Sequence, residues 1–488
     1  MKAPMIKSAF VLFAATTLAG CASLGPTTRL DVPTDVTFRN SGVALDRTQA
    51  PPAPELATWW RGFNDPELTR LVEAALTANL DVTQAEARLN EAAAFVRRAR
   101  ADRLPGGGVN PSVARQRQSL EGPIGSFASN APGFIRDQTV FDTGAQASWE
   151  VDLFGRLGAA ARAARSNRVE TSALLDGVRV RIAAETADAY IALAGANERL
   201  RIVEAQRDVL RRLGRATELR FDAGEAGLGE VEEARGDLAR VEALVPVVGI
   251  DAEAQRNRLR VLTAGAELAR SPDAVPRAPG LVWLDSPAQI LRRRPDIRAA
   301  EARVAASDAR IGSALAEYYP SISIAGVIGF QALDSERLFT APALNAQGLV
   351  GLRWRLFDFA RIDADVAAAR ARGDGAAAAY RAALLLATED VENALFALVA
   401  REQQAREAAR ASVSFTSASR AAKRTFDAGI TGLPQLLDAE RRSLGARQDE
   451  ADARLAAARA AVASFRAIGG VVGGGPETAS SADPRRSQ

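Results

Sequence analysis

The sequence predicts a mainly α-helical protein with β-strands, built from a helix–strand–strand–helix–helix unit that occurs twice. Three observations lead there. Short segments recur in the same order at a nearly constant offset. Long proline-free stretches carry apolar residues at alternating three- and four-residue spacing. Between them lie short runs of period two.

The recurrence sets the organisation. Residues 79–88 read NLDVTQAEAR and 294–303 read RPDIRAAEAR, which places Asp81 on Asp296 at 296 − 81 = 215. The same offset carries Leu104-Pro105 onto Tyr319-Pro320. Val151-Asp152-Leu153-Phe154-Gly155 returns as Trp354-Arg355-Leu356-Phe357-Asp358, at 357 − 154 = 203. Phe221-Asp222-Ala223-Gly224 returns as Phe426-Asp427-Ala428-Gly429, at 426 − 221 = 205. The first repeat is assigned to 59–270, with strands near 109–118 and 143–153 and a helical hairpin near 155–268. The second is assigned to 287–470, with strands near 321–331 and 347–357 and a hairpin near 360–468. Residues 271–286 link the two, and 471–488, rich in Gly, Pro, Ser and charge, form a disordered tail.

Helices account for most of each repeat. Ile297, Ala300, Val304, Ser307, Ile311, Ala314 and Tyr318 keep a 3,4 rhythm, as do Val82, Ala85, Leu89, Ala92 and Val96. Ala451, Leu455, Ala458, Val462 and Phe465 do so again. Such a 3.5-residue period calls for left-handed coiled-coil packing. A bundle core would share the rhythm, but from Gly155 to Arg220 there is no proline, enough for roughly 100 Å of helix. Gly224 and Gly429 mark the hairpin turns.

The strands are two-faced. Ala145, Ala147, Trp149, Val151 and Leu153 alternate with Gly144, Gln146, Ser148, Glu150 and Asp152. Ile322, Ile324, Ile328 and Phe330 alternate with polar or small neighbours, and Val350, Leu352, Trp354 and Leu356 with Gly351, Arg353 and Arg355. Period two alone also fits a half-buried soluble sheet.

Composition excludes several classes. The chain has no histidine, which removes His-based acid–base chemistry and histidine metal sites. Its only cysteine is Cys21, so it forms no intrachain disulfide and no cysteine metal cluster. A net charge of +3 spread over 488 residues gives no nucleic-acid surface. No P-loop motif occurs, so the chain supplies no nucleotide energy of its own. A carboxylate-based enzyme would need a local constellation, and none is present.

The N-terminus is an address. Lys2 and Lys7 precede the apolar run Ala9–Ala15 and then Leu18-Ala19-Gly20-Cys21. Residues 1–20 read as a signal peptide, too short to span a membrane as a helix. Leu-Ala-Gly-Cys resembles the bacterial lipoprotein lipobox, which implies that Cys21 is acylated, with palmitate or similar chains, and begins the mature protein. Ala22 replaces the aspartate that usually retains such proteins in the inner membrane. Residues 21–58 follow as an extended arm. In a lipid-anchored outer-membrane chain, amphipathic strands of about 9–11 residues fit a transmembrane β-barrel. Four strands cannot close a barrel, and open edges are not tolerated in lipid, so the chain must oligomerise: two copies give eight strands, three give twelve.

These residues carry a family resemblance. Trp59-Trp60-Arg61-Gly62-Phe63-Asn64-Asp65-Pro66-Glu67-Leu68 resembles the WW-x-x-F-x-D-P-x-L start of the TolC-like outer-membrane efflux factors of resistance-nodulation-division systems. Arg293-Arg294-Pro295-Asp296-Ile297 with Ala300-Glu301 resembles their R-R-P-D-I-x-x-A-E motif, and Tyr319-Pro320-Ser321-Ile322 their F/Y-P-S-I segment. The resemblance covers nearly the whole mature chain. It implies a homotrimer with a twelve-stranded outer-membrane β-barrel, an α-helical tunnel across the periplasm, and an equatorial domain that takes in 271–286. The implied partners are outer-membrane lipid, a periplasmic adaptor (membrane fusion) protein and an inner-membrane proton-driven pump. The implied function is passive export of drugs or other small toxic compounds. The alternatives are a type I protein-secretion duct and, in another class, a coiled-coil surface fibre or adhesin, which has no need of paired amphipathic strands.

The resemblance also places a gate at the periplasmic tip. Leu436-Leu437-Asp438-Ala439-Glu440-Arg441 is similar to the family's L-L-D-A-Q-R motif, which implies that Asp438 and Arg441 constrict the aperture. Offset 205 puts Glu233 at the matching place in the first repeat. Phe221 and Phe426 stand where the family commonly has Tyr, so the hydroxyl of that Tyr is missing from both tips. On residue pattern alone, Asp438 and Arg441 are equally a solvated i,i+3 pair.

Overall fold

A computed structural model describes residues 38, 56–128, 131–279 and 287–470. The expected signal peptide, Cys21, most of the expected 21–58 arm, part of the expected 271–286 linker and the expected 471–488 tail lie outside the described residues. The protein is mainly helical with one antiparallel sheet. A 3-10 turn (Leu56–Phe63) leads to α1 (Pro66–Ala78), α2 (Leu80–Ala101), β1 (Gly106–Val109), β2 (Ser112–Arg117), the short α3 (Pro123–Ala128) and β3 (Asp137–Val151). Then come α4 (Arg156–Asp222), α5 (Leu228–Leu262), α6 (Pro287–Arg293) and α7 (Pro295–Leu315). The chain continues through β4 (Ser321–Ala332), β5 (Leu344–Arg353), α8 (Phe359–Asp427) and α9 (Leu433–Ala467). Two compact units emerge. Among the described residues one holds 90–128, 131–170 and 301–379, and the other holds 38, 56–89, 171–279, 287–300 and 380–470.

The first unit contains the sheet. β1 and β2 both pair with β3, β3 with β4, and β4 with β5, all antiparallel. Residues opposite each other share a face. The register therefore gathers Phe141, Ala145, Trp149 and Val151 with Ile322, Ile324, Ile328 and Phe330, and with Leu344, Val350 and Leu352, on one face. The other face carries Asp142, Gln146, Ser148 and Glu150 with Ser321, Ser323 and Gln331, and with Asn345, Gln347 and Arg353, interspersed with Gly and a few aliphatics. Both faces are largely exposed, including Ile328, Val350 and Leu352.

Three strands differ from their sequence-based bounds. The strand expected at 109–118 is two pieces, Gly106–Val109 and Ser112–Arg117, in one register on β3 and interrupted at Asn110-Pro111, where the proline ring fixes φ. The strand expected at 143–153 begins at Asp137, where pairing with β2 extends it past the alternating stretch. The strand expected at 347–357 runs from Leu344 to Arg353, leaving Trp354 and Leu356 beyond its end. There the Trp354 indole donates to the Tyr318 carbonyl at 3.0 Å, and in the first half the Trp149 indole donates to the Arg103 carbonyl at 2.9 Å. Arg156, opening α4, donates to both carboxylate oxygens of Glu150 at 2.8 Å.

The second unit is helical. Val203 and Leu210 of α4 pack on Val241 and Val248 of α5, each pair seven residues apart. Another stripe of α4, centred on Val209, packs on Leu437 and Leu444 of α9. Seven-residue spacing on facing helices is the coiled-coil rhythm. A separate core forms where Trp59 stacks on Phe465 with centroids 5.1 Å apart, flanked by Trp60 and Phe63. Asp65 caps α1, accepting from the amides of Glu67 and Leu68, and Pro66 occupies the first helical position. The Tyr190 hydroxyl also donates to Asp65, and burial followed by the nearby Asp65 charge raises its pKa. The WW-x-x-F-x-D-P segment thus forms a packed core and a helix start.

Candidate functional site

The residues singled out at the hairpin turns all fall in the second unit. Helix α4 ends in a Schellman motif: the Gly224 amide donates to the Phe221 carbonyl at 2.9 Å and Glu225 to Arg220 at 2.7 Å. Helix α8 ends identically, with Gly429 donating to Phe426 at 2.9 Å and Ile430 to Thr425 at 2.9 Å. Gly224 and Gly429 have φ of 76° and 70°, the left-handed region where a Cβ is strained. Each tip then restarts on a glycine N-cap, Gly227 for α5 and Gly432 for α9. Phe221 is exposed and Phe426 half-buried, and both give their backbone carbonyls to the turn.

Two turns beyond Gly432, Asp438 bridges two cations. Arg441 donates to one carboxylate oxygen at 2.8 Å and Arg442 contacts the other at 2.7 Å. The hydrogen bond from Arg441, with the charges of Arg442 and Arg441, holds the Asp438 carboxyl below the usual carboxylate range against a smaller opposing effect of burial. The side chains are 40–63% exposed, so each pair within one chain is worth at most a few tenths of a kcal/mol. Leu436 and Leu437 face inward at 5% and 0% exposure. Glu233 is exposed on α5. Among the described residues no ion pair or hydrogen bond joins Glu233 to Asp438 or Arg441.

Sequence reasoning missed two parts of this tip. Arg442 is the second cation on Asp438. Glu440 leaves the Asp438 cluster and binds Arg212 of α4 at 2.5 Å, tying α9 to α4 beside Leu437. The i,i+4 spacing of Asp438 and Arg442 was a usable signal for the first. Nothing local signals the second, since the partners are 228 residues apart. The R-R-P-D-I segment is also clarified. Arg294 is 7% exposed and donates to Asp296 through two nitrogens, to Asp390 at 3.1 Å and to the Ala467 carbonyl at 2.6 Å. It clamps helix ends and touches no hairpin turn. Among the described residues no helix is long and apolar enough to cross a membrane.

Paired long helices with matching turns, joined to a sheet with one apolar face, define a class of membrane channel. A profile described as "Outer membrane efflux protein" matches residues 71–265 and again 286–470. The chain is 31% identical over 489 residues to outer membrane protein OprJ of Pseudomonas aeruginosa, covering 96% of this chain and 97% of OprJ. It is 25% identical to the probable outer membrane lipoprotein SilC of Salmonella typhimurium, over 93% of this chain and 96% of SilC. The solved structure of the outer-membrane channel OprN superposes with a TM-score of 0.80 at 30% identity, covering 92% of this chain and 99% of that one. The chain belongs to the outer membrane efflux protein family. It is an outer-membrane efflux channel, and its relatives are channels rather than enzymes.

Proposed function

We propose that three copies of the chain form one passive duct, a twelve-stranded barrel continued by a helical tunnel that is closed at the hairpin tips. The observation that carries this reading is the sheet. It has one apolar face, one polar face and two edges without a partner among the described residues. The Phe141–Val151 span, tilted as barrel strands are, measures about 28 Å, close to the thickness of an outer-membrane apolar band. Unpaired strand edges are not tolerated in lipid, and four strand positions are too few to close a barrel. Three copies close one with a water-filled lumen.

A duplicated chain supports the same reading. Offsets of 215 and 205 carry the Gly106–Ser148 pair onto Ser321–Arg353, and Ser112–Asp142 onto Val327–Gln347. They also carry the Trp149–Arg103 bond onto Trp354–Tyr318. Three such chains set six near-equivalent units around one axis.

At the tip, Asp438 and Arg441 constrict the aperture, with Glu233 as the first-repeat counterpart and Phe221 and Phe426 beside the turns. Cys21 carries the lipid anchor. A periplasmic adaptor and a proton-driven inner-membrane pump deliver drugs or other small toxic compounds, and the pump rather than the duct selects them. The mass of the purified protein in detergent tests the assembly. Three chains are expected, and a monodisperse monomer contradicts the reading.

A further inference from the structure

The free edge of β5 has a geometric counterpart inside the chain. At the seam between the two halves, β3 pairs with β4, with Asp142 opposite Gln331 and the Gln331 amide donating to Asp142 at 3.3 Å. Just below the sheet, Phe154 stacks on Tyr319 at 4.7 Å. Adding 205 to the β3 residue and subtracting 215 from the β4 residue turns each contact of this seam into one between β5 and the β1–β2 edge of another copy.

We propose that β5 pairs with the β1–β2 edge of a second copy in one defined register, in which the two residue numbers sum to 463. This rests on the duct reading and specifies its protomer interface. Asp142 and Gln331 become Gln347 and Gln116 of the partner subunit, two exposed amides able to hydrogen-bond to each other. On the apolar face, Ala145 and Ile328 become Val350 and Val113 of the partner subunit, and both valines are exposed in the single chain. Past the end of β5 the Leu-Phe segment follows the 203 offset, which takes Phe154 and Tyr319 to Phe357 and Leu104 of the partner subunit, outside the strand ladder itself. Phe357 is fully exposed and Leu104 is exposed, whereas Phe154 has its stacking partner within the chain.

Faces and backbone agree. The Asn110 amide donates to the Gly144 carbonyl, so even-numbered β3 residues turn their backbone groups toward β1–β2. The Asp142–Gln331 pair is therefore a non-hydrogen-bonded pair of the β3–β4 ladder, and its counterpart at Gln347 inherits that geometry. The same alternation turns the missing N–H of Pro111 outward, toward the partner. The register thus tolerates proline at the loss of one ladder bond.

Non-hydrogen-bonded pairs bring Cα atoms to about 4.5 Å, within disulfide reach. The full-length chain carrying Gln347→Cys and Gln116→Cys is oxidised with diamide, which takes up the two thiol hydrogens as the S–S bond forms. The parent chain, whose only cysteine is Cys21, is the control. Cross-linked dimers and trimers are expected in this variant. They are expected to be several-fold fewer when Gln347→Cys is combined with Ala114→Cys or with Gln118→Cys, each two residues out of register. A detergent mass accompanies each variant. A trimer that cross-links best at a shifted pair, or at none of the three, overturns the register and leaves the duct reading standing. A monomer overturns both.

Discussion

The Arg294 guanidinium donates to the carbonyl oxygen of Ala467 across 2.6 Å, anchoring the start of α7 to the last residue of α9. Asn79 does the same in the first half, donating to the carbonyl of Leu262, the last residue of α5, at 2.8 Å. The donors differ by 294 − 79 = 215 and the acceptors by 467 − 262 = 205, the two offsets read from the sequence. Each bond satisfies a carbonyl that a helix end leaves orphaned.

Loss of these clamps is expected to weaken the helical unit unequally. Arg294→Gln removes a buried cation held by Asp296, Asp390 and Ala467, and costs about 2–4 kcal/mol. Asn79→Ala removes a neutral bond to Leu262 and a cap on the Asp81 amide, and costs about 1–2 kcal/mol. Thermal unfolding of the detergent-solubilised protein should show the larger drop for Arg294→Gln. Equal drops would mean that the charge contributes nothing at this site.

The sequence displayed the recurrence, the helical hairpins and the two-faced strands because each is a local pattern. It did not display what the motifs do. Arg294 stood out as part of R-R-P-D-I, yet its acceptor is 173 residues away. The start of β3 is not legible because Asp137 to Val140 lacks clean alternation and is held by pairing with β2. Pro111 stands in the sequence at the break, yet the alternation alone predicts one strand across it. At the tip, Asp438 and Arg441 are legible as a pair, while nothing local marks Glu440, whose partner Arg212 lies on α4.

The lipid anchor is tested at the mature N-terminus. Intact-mass spectrometry is expected to find Cys21 as the first residue with acyl chains attached. Cys21→Ser is expected to lose that added mass while the trimer persists in the membrane through its barrel. A mature chain that begins elsewhere, unmodified, would refute the anchor.

The Asp438 carboxyl sits below its ordinary value of 3.8, chiefly through the Arg441 hydrogen bond. A depressed folded pKa gives stabilisation that is complete above the unfolded value and lost as pH falls through the folded one. The Asp438 pairs should therefore hold from neutral pH down to that ordinary value and give way only below it. Conductance recorded from pH 7 to pH 5 should show no opening step that Asp438→Asn abolishes. Such a step would assign the titration to this residue at a pH where its pairs should still be intact.

Single-channel recording in planar bilayers tests the gated duct most directly. Wild-type protein should conduct weakly, because the tips are closed at rest. Asp438→Ala or Arg441→Ala should raise conductance several-fold without lowering the amount of trimer, since one substitution acts three times around a single aperture. Glu233→Ala should do less. Variants of Asp438 and Arg441 that conduct like wild type would reduce the pair to a solvated helix face, and wild-type trimers that form no channel at all would contradict the duct itself.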